Sequence, residues 1–214
     1  MKIGILGSGI VAQTLAAGFV KHGHTVVLGT RDPGKLADWQ GKNTQVKVGS
    51  VAEAGAFGQV LVLAVKGNVA QLVLEQAGGI GLGAKVVIDA TNPIADLPPV
   101  NGVLRYFTTL DESLMERLQA AYPALRLVKA FSSVGSALMV NPELPGGRPT
   151  MFICGNDQGA RDTVTSILDQ FGWDTADMGL VEAARAIEPL AMLWCIPGFL
   201  RNDWMHAFKV VQAG

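Results

Sequence analysis

At 214 residues, 49% hydrophobic and 16% charged, the chain has material for a full core and is long for one small domain but short for two. Its formal net charge is -1 and its charges are interspersed, so no basic cluster marks a nucleic-acid footprint. Cys154 and Cys195 lack a C-x-x-C spacing, the N-terminus opens on an apolar strand with no signal peptide expected, and the apolar runs fall short of the ~20 residues that span a bilayer, which together point to the cytoplasm.

Residues 3–6 read as a short apolar strand, followed by Gly7-Ser8-Gly9-Ile10-Val11-Ala12 and a helix over 10–22 that Gly23 closes. A second strand over 25–28 ends in Gly29-Thr30-Arg31. In this G-x-G-x-x-A spacing Gly7 permits a tight turn, Gly9 lets the backbone approach a pyrophosphate, and Ala12 lets helix and strand pack closely, while free N–H groups of Ser8 to Val11 face the anion. The motif is specific because it follows a strand, opens a helix and reaches a second strand at the right distance. Dinucleotide sites specific for NAD carry an acidic residue at that second strand's end, whereas an Arg suits a 2′-phosphate. Thr30, Arg31 and Lys35 therefore favour NADP(H), with Asp32 on a ribose hydroxyl leaving NAD as the lesser alternative.

Further along, residues 44–48 read as a weak strand, 51–57 as a short helix, 60–65 as a fully apolar strand, and 68–76 as a helix capped by Asn68. Strands over 85–89 and 125–130 flank a helix over 111–121, and 134–140 reads as a short helix. Strands alternating with helices predict an α/β fold: a doubly wound, mainly parallel Rossmann sheet over residues 1–140. The loop at 141–149, with three prolines and two glycines, separates it from a small C-terminal α/β extension over 150–214. That extension reads as a strand (150–154), a helix from about 157, a strand (175–177), and a helical region from 180 that Pro189 and Pro197 break into a kinked pair.

Ligands of such a sheet bind beyond the carboxyl ends of its strands, so those loops are the candidate sites. Ala64-Val65-Lys66 would flank the nicotinamide side; Lys66 reads as a solvated or phosphate-facing charge ahead of a general acid. In Ala90-Thr91-Asn92-Pro93, Thr91 and Asn92 can hydrogen-bond a ribose or carboxamide, and Ala130 ends the neighbouring strand. Phe131, Ser132 and Ser133 would line an acceptor pocket. No catalytic residue is assigned: His22, His24 and His206 sit on no strand-end loop, which disfavours a Ser–His hydrolase, and no His/Cys spacing predicts a metal. In the tail, Glu182, Arg185 and Glu188 read as a solvated or ion-paired stripe, and Met192, Leu193, Trp194, Phe199 and Trp204 as core or dimer interface.

Assembled, these loops make the chain resemble the coenzyme F420-dependent NADP oxidoreductases over nearly its whole length. The likeness rests on Gly7 to Ala12, Gly29-Thr30-Arg31 with Lys35, Asp89 to Pro93, Val128-Lys129-Ala130-Phe131, Cys154-Gly155-Asn156-Asp157, and Gly179 with Glu188-Pro189-Leu190. It implies that Thr30 and Arg31 hold the 2′-phosphate and that hydride passes directly between nicotinamide and a stacked deazaflavin or flavin, with coenzyme F420 or a flavin as co-substrate and no dedicated proton donor. The chain departs from the family at Lys66, where many relatives have proline, and at Ser132-Ser133, where bacterial members have an asparagine-containing run. The rival readings are a non-catalytic NADP(H)-binding sensor and, below it, a hydroxy-acid or imine reductase.

Overall fold

All four residues of Val60–Leu63 are buried, which requires a sheet covered on both faces. In the computed structural model, which describes residues 1–211, this run is β4, after β1 (Lys2–Leu6), β2 (Thr25–Gly29) and β3 (Lys47–Gly49). With β5 (Val86–Asp89) and β6 (Arg126–Lys129) they form a parallel six-stranded sheet in the order β3-β2-β1-β4-β5-β6. This is the doubly wound Rossmann order, and its reversal between β1 and β4 opens a crevice at their carboxyl ends.

Helices α1 (Ile10–Lys21), α2 (Ala37–Lys42), α3 (Val51–Phe57), α4 (Ala70–Ala77) and α5 (Leu114–Ala121) connect the strands. Beyond them β7 (Thr150–Ile153) and β8 (Asp174–Asp177) form a separate parallel pair, joined by α6 (Gln158–Gln170) and followed by α7 (Ala184–Arg201). The tail completes both faces of the main sheet. On one, Met151, Ile153, Phe171 and Trp173 join Phe19 of α1; on the other, Ile187 of α7 joins Leu74 of α4 with Met115 and Leu118 of α5.

Several elements differ from expectation for local reasons. Asn68 caps nothing: its amide is drawn to Asp96, residues Gly67–Val69 make a 3-10 turn, and α4 starts at Ala70 with Val69 as its cap. The helix expected over 111–121 begins at Leu114, where Ser113 and Glu116 form a reciprocal capping box. Residues 134–140 hold only a 3-10 turn at Ser136–Leu138, which the left-handed Asn141 (φ 49°) ends shortly afterwards. The predicted kinked pair is one helix: α7 runs on through Pro189 and Pro197 because side chains on either side of Pro189, Glu188 and Trp194, are buried in the fold. The segment Val181–Arg201, with mean hydropathy 1.2, is long and apolar enough to cross a membrane by length and composition. Here it delivers a carboxylate to a buried ion pair.

That carboxylate is Glu188, from the stripe expected to be solvated or ion-paired: it is ion-paired but buried, at 1% exposed, while Arg185 pairs at the surface with Glu116. The Lys129 ammonium, itself fully buried, lies 2.7 Å from Asp89 Oδ2 and 2.9 Å from Glu188 Oε1, and donates to the Thr91 carbonyl at 3.0 Å. All three of its protons are thereby used. The second negative charge is met by backbone: Glu188 accepts the Leu114 and Met115 N–H groups at 3.0 Å each, at the positive end of α5, and Asp89 Oδ1 accepts Thr91 N and Oγ1 at 2.9 and 2.6 Å. Burial alone would lower the Lys129 pKa, but the Asp89 and Glu188 carboxylates outweigh it and raise it.

Two predictions follow from these ion pairs. Lys129→Met strands two buried carboxylates, and its cost is expected at about 3–5 kcal/mol in urea unfolding; adding Asp89→Asn and Glu188→Gln to it recovers most of that loss, whereas a triple variant as unstable as the single one would contradict the account. At the surface, Arg185 holds the Glu116 carboxyl down at about 2 against an ordinary 4.5. A depressed carboxyl stabilises the fold above its unfolded pKa and loses that contribution as pH falls toward the folded one. Between pH 5 and 2 the stability of Arg185→Gln should thus fall less steeply than that of the native chain, as read by urea midpoints.

Candidate functional site

The crevice at the carboxyl ends of β1 and β4 is a cleft of about 520 Å³. Its floor is the turn from β1 into α1. Gly7 has φ 132°, and a Cβ there would lie 2.2 Å from the Ala64 carbonyl oxygen, so both backbone conformation and the contact with β4's end demand glycine. Gly9 is a different case. Its φ is -72°, and a Cβ there would meet no protein atom within 4 Å, so nothing in the fold itself requires glycine. What glycine does at position 9 is leave the mouth of α1 open. The first bond of α1 runs from Gln13 N to Gly9 O at 3.0 Å, and the cap carries no side-chain acceptor, so the N–H groups of its first turn point into the cleft. Gln13 steadies the turn by donating its side-chain amide to the Ser8 carbonyl at 2.9 Å. An open helix N-terminus of this kind suits a phosphate or pyrophosphate.

Gly7, Ser8, Gly9, Ile10, Val11, Thr30, Arg31, Ala64, Val65, Lys66 and Ala90 all line this cleft. Thr30 is buried, and its hydroxyl oxygen accepts the Asp32 N–H at 3.2 Å, a turn that leaves Arg31 exposed at the rim. Lys35 lies on an exposed 3-10 turn outside the lining, 3.9 Å from Asp32 Oδ2. The opposite wall is formed by Asn68, at the end of the expected strand-end loop, and by Val69, Leu72, Val73 and Gln76, which the sequence did not point to, from α4 and the turn before it. Leu72, 52% exposed, is the one trace of that wall visible as chemistry, an apolar side chain left on a helix surface beside a strand end. Lys66 reaches the Asp96 carboxylate at 2.9 Å, and its hydrogen bond holds the Asp96 carboxyl below its ordinary range.

The remaining predicted residues sit behind the cleft. Thr91 is buried with its hydroxyl on Asp89, Asn92 donates to the Ser132 carbonyl at 2.7 Å, and the Pro93 carbonyl accepts the Phe107 N–H at 2.9 Å. Ala130 is fully buried and donates its N–H to the Asp89 carbonyl. Phe131, expected to line an acceptor pocket, is 1% exposed; its ring packs on Phe171 at 6.0 Å, and its backbone takes φ 61°. Ser132 and Ser133 are buried as well. The core has claimed these side chains, so what they present at the strand end is backbone. Cys154 is equally removed from chemistry, since burial pushes its thiol up to about 12.

Comparison with known proteins agrees with this geometry. Residues 2–93, from β1 through the loop after β5, match the family described as "NADP oxidoreductase coenzyme F420-dependent". Among curated proteins, the metalloreductase STEAP3 of Rattus norvegicus is 31% identical over 208 residues, covering 93% of this chain and 39% of the relative, so the chain spans well under half of that protein's length. Among solved structures, a protein of Arthrobacter sp. FB24 described as an F420-dependent NADP reductase superposes with a TM-score of 0.93 at 28% identity, covering 99% of this chain and all of the other. A Streptomyces aurantiacus imine reductase, at TM-score 0.65 and 16% identity over 94% of this chain and 63% of its own, shares the fold. The strand order, the Gly7–Ala12 turn and the match over residues 2–93 thus agree in likening the N-terminal part of the chain to the coenzyme F420-dependent NADP oxidoreductases.

Proposed function

We propose that this chain is an NADP(H)-dependent oxidoreductase in which hydride passes directly between the nicotinamide and a flat acceptor of the flavin or deazaflavin type. The observation that carries the reading is the convergence on one cleft of an open helix N-terminus, the Thr30–Arg31 tip of β2 and the apolar strand end Ala64–Val65. Backbone N–H groups of Ser8 to Val11 would bind the pyrophosphate. Arg31, with Thr30 and with Lys35 once it leaves Asp32, would bind the 2′-phosphate. Ala64, Val65 and Ala90 would bound the nicotinamide side, with Thr91, Asn92, Pro93 and Ala130 fixing the backbone there. The turn at Phe131, Ser132 and Ser133 would shape the acceptor side. When bound, NADPH supplies a proton with two electrons as hydride to the acceptor ring. The protein's own part is to bind and to hold two flat rings in contact, which needs no acid or base side chain.

The names of the relatives set the acceptors to assay: coenzyme F420 from the Arthrobacter protein, and ferric chelates from the metalloreductase. The same reading places the protein in the cytoplasm as a homodimer, with Leu193, Phe199 and Leu200, exposed on α7, as the apolar contact face. NADPH oxidation is expected with oxidised F420 or FMN. Tight NADPH binding without turnover on F420, FMN or ferric chelate would instead favour a sensor. For the cofactor, Arg31→Ala should weaken NADPH by about 1–3 kcal/mol and leave NADH nearly unchanged, as for a lost charge-assisted hydrogen bond. Equal losses for both cofactors in fluorescence titrations would count against the 2′-phosphate role.

A further inference from the structure

Lys66 puts an ammonium where the family resemblance leads one to expect proline. It leaves β4 two residues after Ala64, whose carbonyl abuts the Gly7 turn, so it stands on the cleft wall beside the open end of α1. This ammonium is already engaged. It lies 2.9 Å from Asp96 Oδ1, and Asn68, also on the cleft wall, donates its amide to Asp96 Oδ2 at 2.7 Å. Asp96 comes from a different loop, the excursion after β5, and is not itself part of the cleft lining. Two donors on the wall of an anion-binding cleft are thus occupied by one internal carboxylate, each of its oxygens taking one donor.

The strength of that engagement decides what it does. Lys66 and Asp96 are 76% and 62% exposed, and an ion pair so open to water is weak and readily exchanged. A pyrophosphate brings more negative charge and more acceptor oxygens than a carboxylate, and charge-assisted bonds to it are the stronger ones. We infer that Asp96 competes with a dinucleotide's pyrophosphate for Lys66 and Asn68, and so sets the chain's affinity for dinucleotides without touching them. This rests on the proposed dinucleotide binding. It makes Asp96 a positioning residue acting through Lys66, and because the pyrophosphate is common to both cofactors, its effect falls on NADPH and NADH alike.

The test is a cycle of Asp96→Asn, Lys66→Met and the double variant, with dissociation constants for NADPH and NADH measured by fluorescence titration and folding checked by thermal unfolding. Asp96→Asn should tighten both cofactors by about two- to fivefold, a gain that damage to the fold would not produce. In the Lys66→Met background most of that gain should vanish. No gain from Asp96→Asn, a gain confined to NADPH, or a gain that survives intact without Lys66 would each overturn the inference, the last by reducing it to removal of a distant charge. If the native chain binds neither cofactor, the dinucleotide reading itself fails and this inference falls with it; native binding without the Asp96 effect isolates the failure here.

Discussion

Lys129 is a full positive charge with no exposure to water, and the arrangement of the site side of this fold follows from what that charge requires. It needs Asp89 from the neighbouring strand, Glu188 from α7 and the Thr91 carbonyl at the same time, within 3.0 Å of one nitrogen. Glu188 in turn needs the first two N–H groups of α5. Such a network adds little net stability over an apolar core of the same shape, but an incomplete one is heavily penalised. The network ties α7 to the register that brings Glu188 onto Lys129 and α5, and the loop leaving β5 is held through the Thr91 backbone.

Two consequences reach the cleft. Ala90 lies on its wall, directly between Asp89 and Thr91, so the position of that wall is set by buried ionic geometry rather than by a flexible loop. In the turn after the next strand Phe131 is held at φ 61°, a conformation costly for an aromatic residue, while its ring is buried against Phe171. Asn92 then grips the Ser132 carbonyl, linking the ends of β5 and β6. Side chains that read as pocket lining are instead the fixings of a rigid turn.

What could be read from the chain and what could not divide along one physical line. Continuous apolar runs such as Val60–Leu63 declare a buried parallel strand because every residue in them must be covered. The Gly7–Ala12 turn and the Thr30–Arg31 tip were legible for a similar reason, since each is dictated locally by backbone conformation or by charge at a strand end. Glu188 was not, because three-residue spacing shared with Glu182 and Arg185 assigns a helix face without saying whether that face meets water or Lys129. Asn68 fits a cap by type and position, yet a carboxylate from another loop draws its side chain away. Phe131 and the α4 wall were hidden likewise, for which side chain turns into a core or a cleft is decided by elements far along the chain.

The charge balance of the cleft shows why overall charge says so little about anion binding. The chain carries a formal charge of -1, and two of the three cations near the cleft are offset by neighbours, Lys35 by Asp32 and Lys66 by Asp96. Arg31 alone of the three has no carboxylate partner among the described residues. In the proposed dinucleotide reading, recognition of a phosphate would begin with fixed backbone dipoles at the mouth of α1 and one exposed guanidinium, neither of which has to be released from a partner. The paired lysines contribute only what remains after their carboxylates let go. On that reading, affinity in such a cleft would be governed as much by the acidic residues beside it as by the basic ones within it.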